Sequence, residues 1–450
     1  MKNLYLILVA LALLPLGVKA QQGQMQFFRP NDQRGLNIFE TSKKDTVAFT
    51  GLKVKIGGNF ELSFQDLTDG NTALPKTQTG FTGNVNSLIK LMPGFNLPMA
   101  NLNVDVQLAD GIRLNLTSYL ATRHHEDTWV KGGYIQFDKL TFLHSDLVDQ
   151  LMKSFTIKIG QNDVDYGDQH FRRSDGGNTI YNPFVENYIM DEFSTETGAE
   201  IYYHHKSGFF LMGGITNGEL NETVVAPTKI DSATKQVNKY PPAYHGKIGF
   251  DKQINEDTRI RLSGSFYTVS SANSSTLFGG DRTGSHYYYI MSNQNIANGT
   301  TLNNAVDYNA FSGRFNPGFS EEVHTYMANL FLKHKGLEFF GTYEDARGRS
   351  ITETSNRGAK QYAVDLIYRF PANKENFWVG GRYNTVTATI AGNPADVTIN
   401  RGVGSIGWFM TKNIMMKAEY VDQVYKNYAN TNILNGGQFN GVMLEAAIAF

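Results

Sequence analysis

Beyond residue 50 the chain alternates apolar and polar residues one by one over unusually long stretches. In 52–65, Leu52, Val54, Ile56, Phe60, Leu62 and Phe64 alternate with Lys53, Lys55, Asn59, Glu61, Ser63 and Gln65. Leu102, Val104, Val106 and Leu108 do the same against Asn103, Asp105 and Gln107, and Ile112, Leu114 and Leu116 against Arg113, Asn115 and Thr117. A period of two puts one set of side chains on each face of a strand. A tilted strand needs about 9–11 residues to cross a bilayer, whereas strands of soluble sheets usually run to about 5–6. The pattern predicts an all-β fold: a transmembrane antiparallel up-and-down β-barrel.

Sixteen such segments can be drawn: 50–66, 98–109, 111–124, 127–139, 155–163, 196–206, 208–218, 243–253, 258–270, 323–335, 336–346, 358–371, 376–390, 395–410, 414–426 and 438–450. Pairing 285–291 as well would give eighteen. The connections sort by alternation. One set is short, as at Asp110-Gly111, Lys335-Gly336 and Thr411-Lys412-Asn413, with a short helix expected in 140–154. The other set is mostly long: 67–97, 164–195, 219–242, 271–322, 347–357 and 427–437. Short periplasmic turns and long extracellular loops are the layout of an outer-membrane barrel. It places the protein in the outer membrane of a Gram-negative bacterium, in contact with outer-membrane lipid.

The ends fit this picture. Residues 1–20 carry Lys2, an apolar core from Leu4 to Leu14, a Pro15/Gly17 break and Val18-Lys19-Ala20, which reads as a cleaved signal peptide. Residues 21–49 are then an N-terminal periplasmic segment and 50–450 the barrel. With 41 Lys+Arg against 42 Asp+Glu, the charge balance gives no support to nucleic-acid binding. The chain has no cysteine, so thiol chemistry and zinc–thiolate sites are excluded. No phosphate-binding Gly-rich loop, HExxH or GxSxG motif occurs. No enzyme, cofactor or metal site is therefore expected. In the run Asp163-Val164-Asp165-Tyr166-Gly167-Asp168, solvated or bracing acids are favoured over calcium ligands, for want of the full loop spacing. The pairs His124-His125 and His204-His205 would point to opposite strand faces and so read as rim residues.

The last segment ends one face on Phe450, after Asn440, Val442, Leu444, Ala446 and Ile448. A terminal aromatic on an alternating strand resembles the signal read by the barrel-assembly machinery. Phe370 and Trp408 fall at other expected periplasmic strand ends, in an interfacial girdle. The stretches 172–203, 407–425 and 439–450 resemble porins related to the phosphate-selective type. That resemblance implies a trimeric sixteen-stranded channel whose third loop, here 164–195, folds inward. It also makes Arg172, Arg173, Asp165, Asp168 and Asp175 the candidate constriction. The loop departs from an anion-attracting pattern, since it sets two arginines against Asp165, Asp168, Asp175, Glu186, Asp191 and Glu192.

Alternation assigns Lys53, Lys55, Arg113, Arg123, Lys158, Lys247, Arg259, Arg261, Lys333, Arg369, Arg382 and Lys417 to the lumen. The inward acids are Glu61, Asp105, Asp138, Glu200, Asp251, Glu338, Glu344, Asp365, Glu419 and Glu445. Lys53, Lys55, Arg113 and Arg123 lie on nearby strands and would focus an anion, though bracing of the wall is the stronger expectation. The function expected is a water-filled channel for passive diffusion of small hydrophilic solutes, with a weak preference for phosphate-like anions. The alternatives are a binding or adhesion surface made by the long loops, or a barrel-embedded hydrolase.

Overall fold

The computed structural model describes residues 24–79, 83–96, 99–121, 128–174, 178–220, 224–280, 284–293 and 312–450. Among these the chain forms one closed antiparallel sheet of sixteen strands. The first seven are β1 (Lys53–Gly70), β2 (Met99–Ala109), β3 (Ile112–Ala121), β4 (Thr128–Phe137), β5 (Phe155–Asp163), β6 (Thr195–His204) and β7 (Phe209–Thr216). The next five are β8 (Ala243–Gln253), β9 (Thr258–Val269), β10 (Glu322–His334), β11 (Leu337–Arg349) and β12 (Arg357–Phe370). The last four are β13 (Phe377–Ala388), β14 (Val397–Thr411), β15 (Ile414–Lys426) and β16 (Gln438–Ala449). A two-residue piece, Gly94–Phe95, pairs with β1 in line with β2 and counts as part of it. The sheet closes where β1 pairs with β16, from Asn59 opposite Ala449 to Gly70 opposite Gln438. Closure leaves no strand at a sheet edge, as a sheet whose backbone must pair without water requires. Residues 285–291 form no strand, and the count stays at sixteen.

The expected alternation is realised as burial. In β12 every second residue from Ala359 to Arg369 is buried, while Tyr362, Val364, Leu366, Tyr368 and Phe370 are exposed on the outer face. Tyr368, Phe370, Phe377 and Trp408 form a row at the short-turn end, with successive ring centroids 5.7–5.9 Å apart. An apolar belt ending in an aromatic girdle suits the boundary of a bilayer. The turn after β4 contains the helix α1 (Asp146–Met152), and among the described residues no helix is long and apolar enough to cross a membrane. At the seam, Phe450 exchanges backbone hydrogen bonds with Gly58 at 3.0 and 3.2 Å. A Cβ on Gly58 would lie 3.3 Å from the Phe450 ring, so the glycine leaves room for the outward aromatic.

Candidate pore and its plug

The inside of the barrel is unevenly filled. The third loop descends into the lumen, and its described residues, 164–174 and 178–194, are almost wholly buried. It leans on the walls β8 to β16. Asp168 accepts from Arg261 at 2.7 and 2.8 Å and from Ser263 at 2.7 Å, and Asn329 accepts from its backbone N–H. Asp165 pairs with Lys247 and with His170. Further along, Asn384 and Gln361 accept from the backbone of Ile189 and Met190, and Glu419 from Val185. Trp378 and Ser405 both donate to the carbonyl of Pro183. A loop buried this deeply needs partners for its peptide groups, and the wall polar residues supply them.

A second long connection also enters. Ser285 and the backbone N–H of His286 donate to Glu186, Tyr287 donates to Glu419 at 2.6 Å, and Arg314 ties Glu186 to Asp191. From the short-turn end, residues 24–49 cross the mouth as a strap. Gln33 bonds to the turns at Lys374, Glu375 and Lys412, and Gln26 to Gln107 and Asp110. Phe39 then inserts against Phe171 and Phe331, and Glu40 bonds to Arg261 at 2.6 and 2.8 Å. The sequence expectation of a segment outside the barrel is thus refined: the strap lies at that end but reaches inside.

Space remains on the other side. A polar cavity of about 280 Å³ runs along β1 to β6 between the wall and the third loop. It shares Lys131 and Gln161 with a small cavity of about 70 Å³ near the long-loop end. It shares Phe28, Arg29, Phe39, Glu40, Thr41 and Lys55 with a cavity of about 540 Å³ under the strap. The central cavity therefore adjoins one space near the long-loop end and another under the strap.

The charges on this path are not balanced like those behind the plug. Arg113 pairs with Asp105 at 3.1 Å, while Glu40 and Asp165 are held by Arg261 and Lys247, which do not line the central cavity. Lys55 faces the ring of Phe28 at 4.5 Å. Lys158 accepts company from Tyr134 and Tyr202 and donates to the Tyr202 hydroxyl at 3.3 Å. Arg29 stands 3.8 Å over Tyr181 and donates to carbonyls of Gly35 and Phe171. Among the described residues none of these three has a carboxylate within ion-pair distance.

The structure redistributes the candidate site residues. Asp165 lines the central cavity, whereas Asp168 faces the wall. Arg172 and Arg173 are corrected: neither lines the cavities. Arg172 is buried over Phe340, 3.6 Å from Glu338, and Arg173 is bidentate to Asp191 over Phe193. Arg172 is thus turned to an acid of the wall strand β11 and Arg173 to an acid of the loop itself, and both brace the loop. Asp175 and Arg123 lie outside the described residues, as do His124 and His125. Among the lumen cations, Lys53 donates to the Gln24 carbonyl at the mouth, and Arg259 is bidentate to Asp251. Lys55 and Arg113 line the central cavity. Arg261 does not: it is the hub joining Asp168, Glu40 and Asp251. Sequence reasoning had no signal for Arg29 and Phe28, which come from a segment without periodicity.

Outside the spanning strands, two acids show how the ends are fastened. Burial pushes Asp32 up, but hydrogen bonds and charge from Arg34, with Lys412 beyond, outweigh it and hold the carboxyl below its ordinary value. Asp231, in an outer loop, is depressed in the same way: burial is outweighed by Arg349, which donates at 2.5 and 3.0 Å.

No family profile and no curated protein matches the chain. Solved structures of similar shape are outer-membrane proteins. The anion-selective porin from Comamonas acidovorans aligns at TM-score 0.46 and 8% identity, over 89% of this chain and 100% of its own. The outer membrane channel DcaP of Acinetobacter baumannii gives 0.48 and 10%, over 90% and 99%. OmpT, an outer membrane protein of Vibrio cholerae, gives 0.46 and 10%, over 90% and 99%.

Proposed function

We propose that the chain is a porin-like channel of a Gram-negative outer membrane, passing small hydrophilic solutes by passive diffusion with a weak preference for anions. The reading rests on the central cavity along β1 to β6 and the two cavities that adjoin it, one near the long-loop end and one under the strap. The anion preference rests on Arg29, Lys55 and Lys158, none of which has a carboxylate within ion-pair distance among the described residues, in a narrow path where such charge is weakly screened. Phosphate is one anion of suitable size and charge. A planar bilayer recording tests both parts. Steady unit conductance is expected, with a zero-current potential displaced towards anions under a salt gradient. Absence of conductance from correctly folded protein would sink the channel. A displacement towards cations would leave a channel but remove the anion preference.

We further propose an assembly signal and an oligomeric state. The exposed Phe450, seated in the notch of Gly58, serves as the mark read by the barrel-assembly machinery. Phe450→Ala should lower the heat-modifiable fraction in membranes, and unchanged assembly would refute it. The chain assembles as a homotrimer. Mass measurement in detergent should give three chains per particle, and a single chain would refute that.

A further inference from the structure

The seam where the barrel closes carries a group of side chains that neither the pore nor the plug requires. Glu61 comes from β1, Glu445 from β16 and His286 from the inward-folded connection between β9 and β10. All three are buried, and one donor atom from each lies within 4.8 Å of the others. His286 Nδ1 is 3.1 Å from Glu445 Oε2 and 3.7 Å from Glu61 Oε2. Ser63 donates to Glu61 Oε2 at 2.9 Å and lies 3.4 Å from Glu445 Oε2. A tetrahedral ion bound at about 2.0–2.2 Å sets its donors roughly 3.3–3.6 Å apart. The observed spacings bracket that value.

Two independent features point the same way. Glu61, fully buried, has an Oε1 with no hydrogen-bond partner among the described residues, an expensive condition for a carboxylate oxygen. Coordination through both oxygens would satisfy it. The other oxygen of Glu445 is held by Lys417 at 2.7 Å, and Lys417 also donates to the carbonyls of Asn182 and Phe184. A cation placed behind a carboxylate in this way orients it, as outer partners of metal ligands do. Two carboxylates supply anionic donors, one of them shared with Lys417, and an imidazole suits the zinc class better than calcium or magnesium.

We propose that Glu61, Glu445 and His286 bind one divalent transition-metal ion of the zinc class, which staples the 284–293 segment to the β1–β16 seam. The competing arrangement is a protonated imidazole shared between two carboxylates, with no metal. The two are separated by folding the full mature chain into detergent with Zn(II) alone, then removing free metal by gel filtration. About one zinc per chain is expected to remain. His286→Ala and Glu61→Gln should each reduce the retained zinc at least about tenfold. Less than about a tenth of an equivalent on the wild-type protein, or wild-type retention by either variant, would overturn the proposal. Should the variants fail to fold, Co(II)-loaded wild type decides: X-ray absorption should show one imidazole among oxygen donors, and its absence would overturn the site.

Discussion

The two halves of the lumen are built from the same alternating pattern and end up doing opposite things. Along β8 to β16 nearly every inward polar residue is buried against the third loop or the 284–293 segment: Arg261, Asn329, Gln361, Arg382, Asn384, Arg401 and Lys417 each bond to it. Along β2 to β5 the equivalent positions, such as Asn103, Asn115, Thr117 and Lys158, line the central cavity. An inward charge is therefore a brace on one side and a pore lining on the other. What decides is whether a second layer of chain stands in front of it. Breaking the comparison means finding a residue of the filled half that controls solute, or one of the open half that controls folding.

The largest effect is expected at the hub of the filled half. Arg261→Met removes the bidentate partner of Asp168 and Glu40 and leaves both to Lys247, which already pairs with Asp165. Breaking a buried pair by removing one member typically costs about 3–5 kcal/mol. The temperature at which folded barrel converts to the unfolded gel species should fall sharply. A second variant probes packing without charge. A Cβ on Gly407 would lie 1.9–2.4 Å from atoms of the Trp378 ring, which holds the Pro183 carbonyl. Gly407→Ala should cost about 1–3 kcal/mol by overpacking. Thr117→Val in the open half should stay within about 0.5 kcal/mol. Equal losses in the two halves would erase the distinction.

Selectivity should show the converse. Lys55→Gln with Lys158→Gln should move the zero-current potential towards cations while melting changes little. Arg172→Ala and Arg173→Ala should destabilise the barrel and leave selectivity as it was, because both arginines are spent on Glu338 and Asp191. A shift from the arginine pair and none from the lysine pair would return the constriction to the third loop.

How much of this was legible in the sequence follows from what each feature depends on. Strand existence needs only local periodicity: 155–163, 243–253 and 414–426 are the observed β5, β8 and β15 to the residue. Inward orientation is equally local, so the lumen charges could be named from their neighbours. Which of them is covered depends on contacts far apart in sequence, as between Asp168 and Arg261. No period carries that information. The strap was illegible for the same reason. Its hold on the barrel lies in single residues, Phe39 and Glu40 among them, each matched to one wall position. Arg172 and Arg173 show the limit: adjacency and sign suggested a constriction, but one is paired with Glu338 of the wall and the other with Asp191 of the loop.

The smallest effect concerns how the strap is fastened at the open mouth. Asp32 accepts from the backbone N–H of Arg34 at 2.9 Å, capping the turn Gln33–Gly35, and pairs with the Arg34 side chain at 2.6 Å. Its folded pKa is depressed, with burial outweighed by Arg34 and Lys412. A depressed carboxyl contributes stability that is present above its unfolded value of about 3.9 and is lost as pH falls through the lower folded value. Arg34 is largely solvent-exposed, so screening keeps the ion-pair part small, and the cap itself is worth about 1 kcal/mol. Asp32→Ala, which removes both cap and ion pair, should therefore speed amide exchange within 32–38 at neutral pH. The difference from the wild type should persist down to about pH 4 and shrink below it as the wild-type carboxyl protonates. Arg261 and Lys247, which hold Glu40 deeper in, should keep Phe39 seated throughout. A strap that detaches as a whole when Asp32 alone is changed would mean that the mouth, and not the filled half, is where it is anchored.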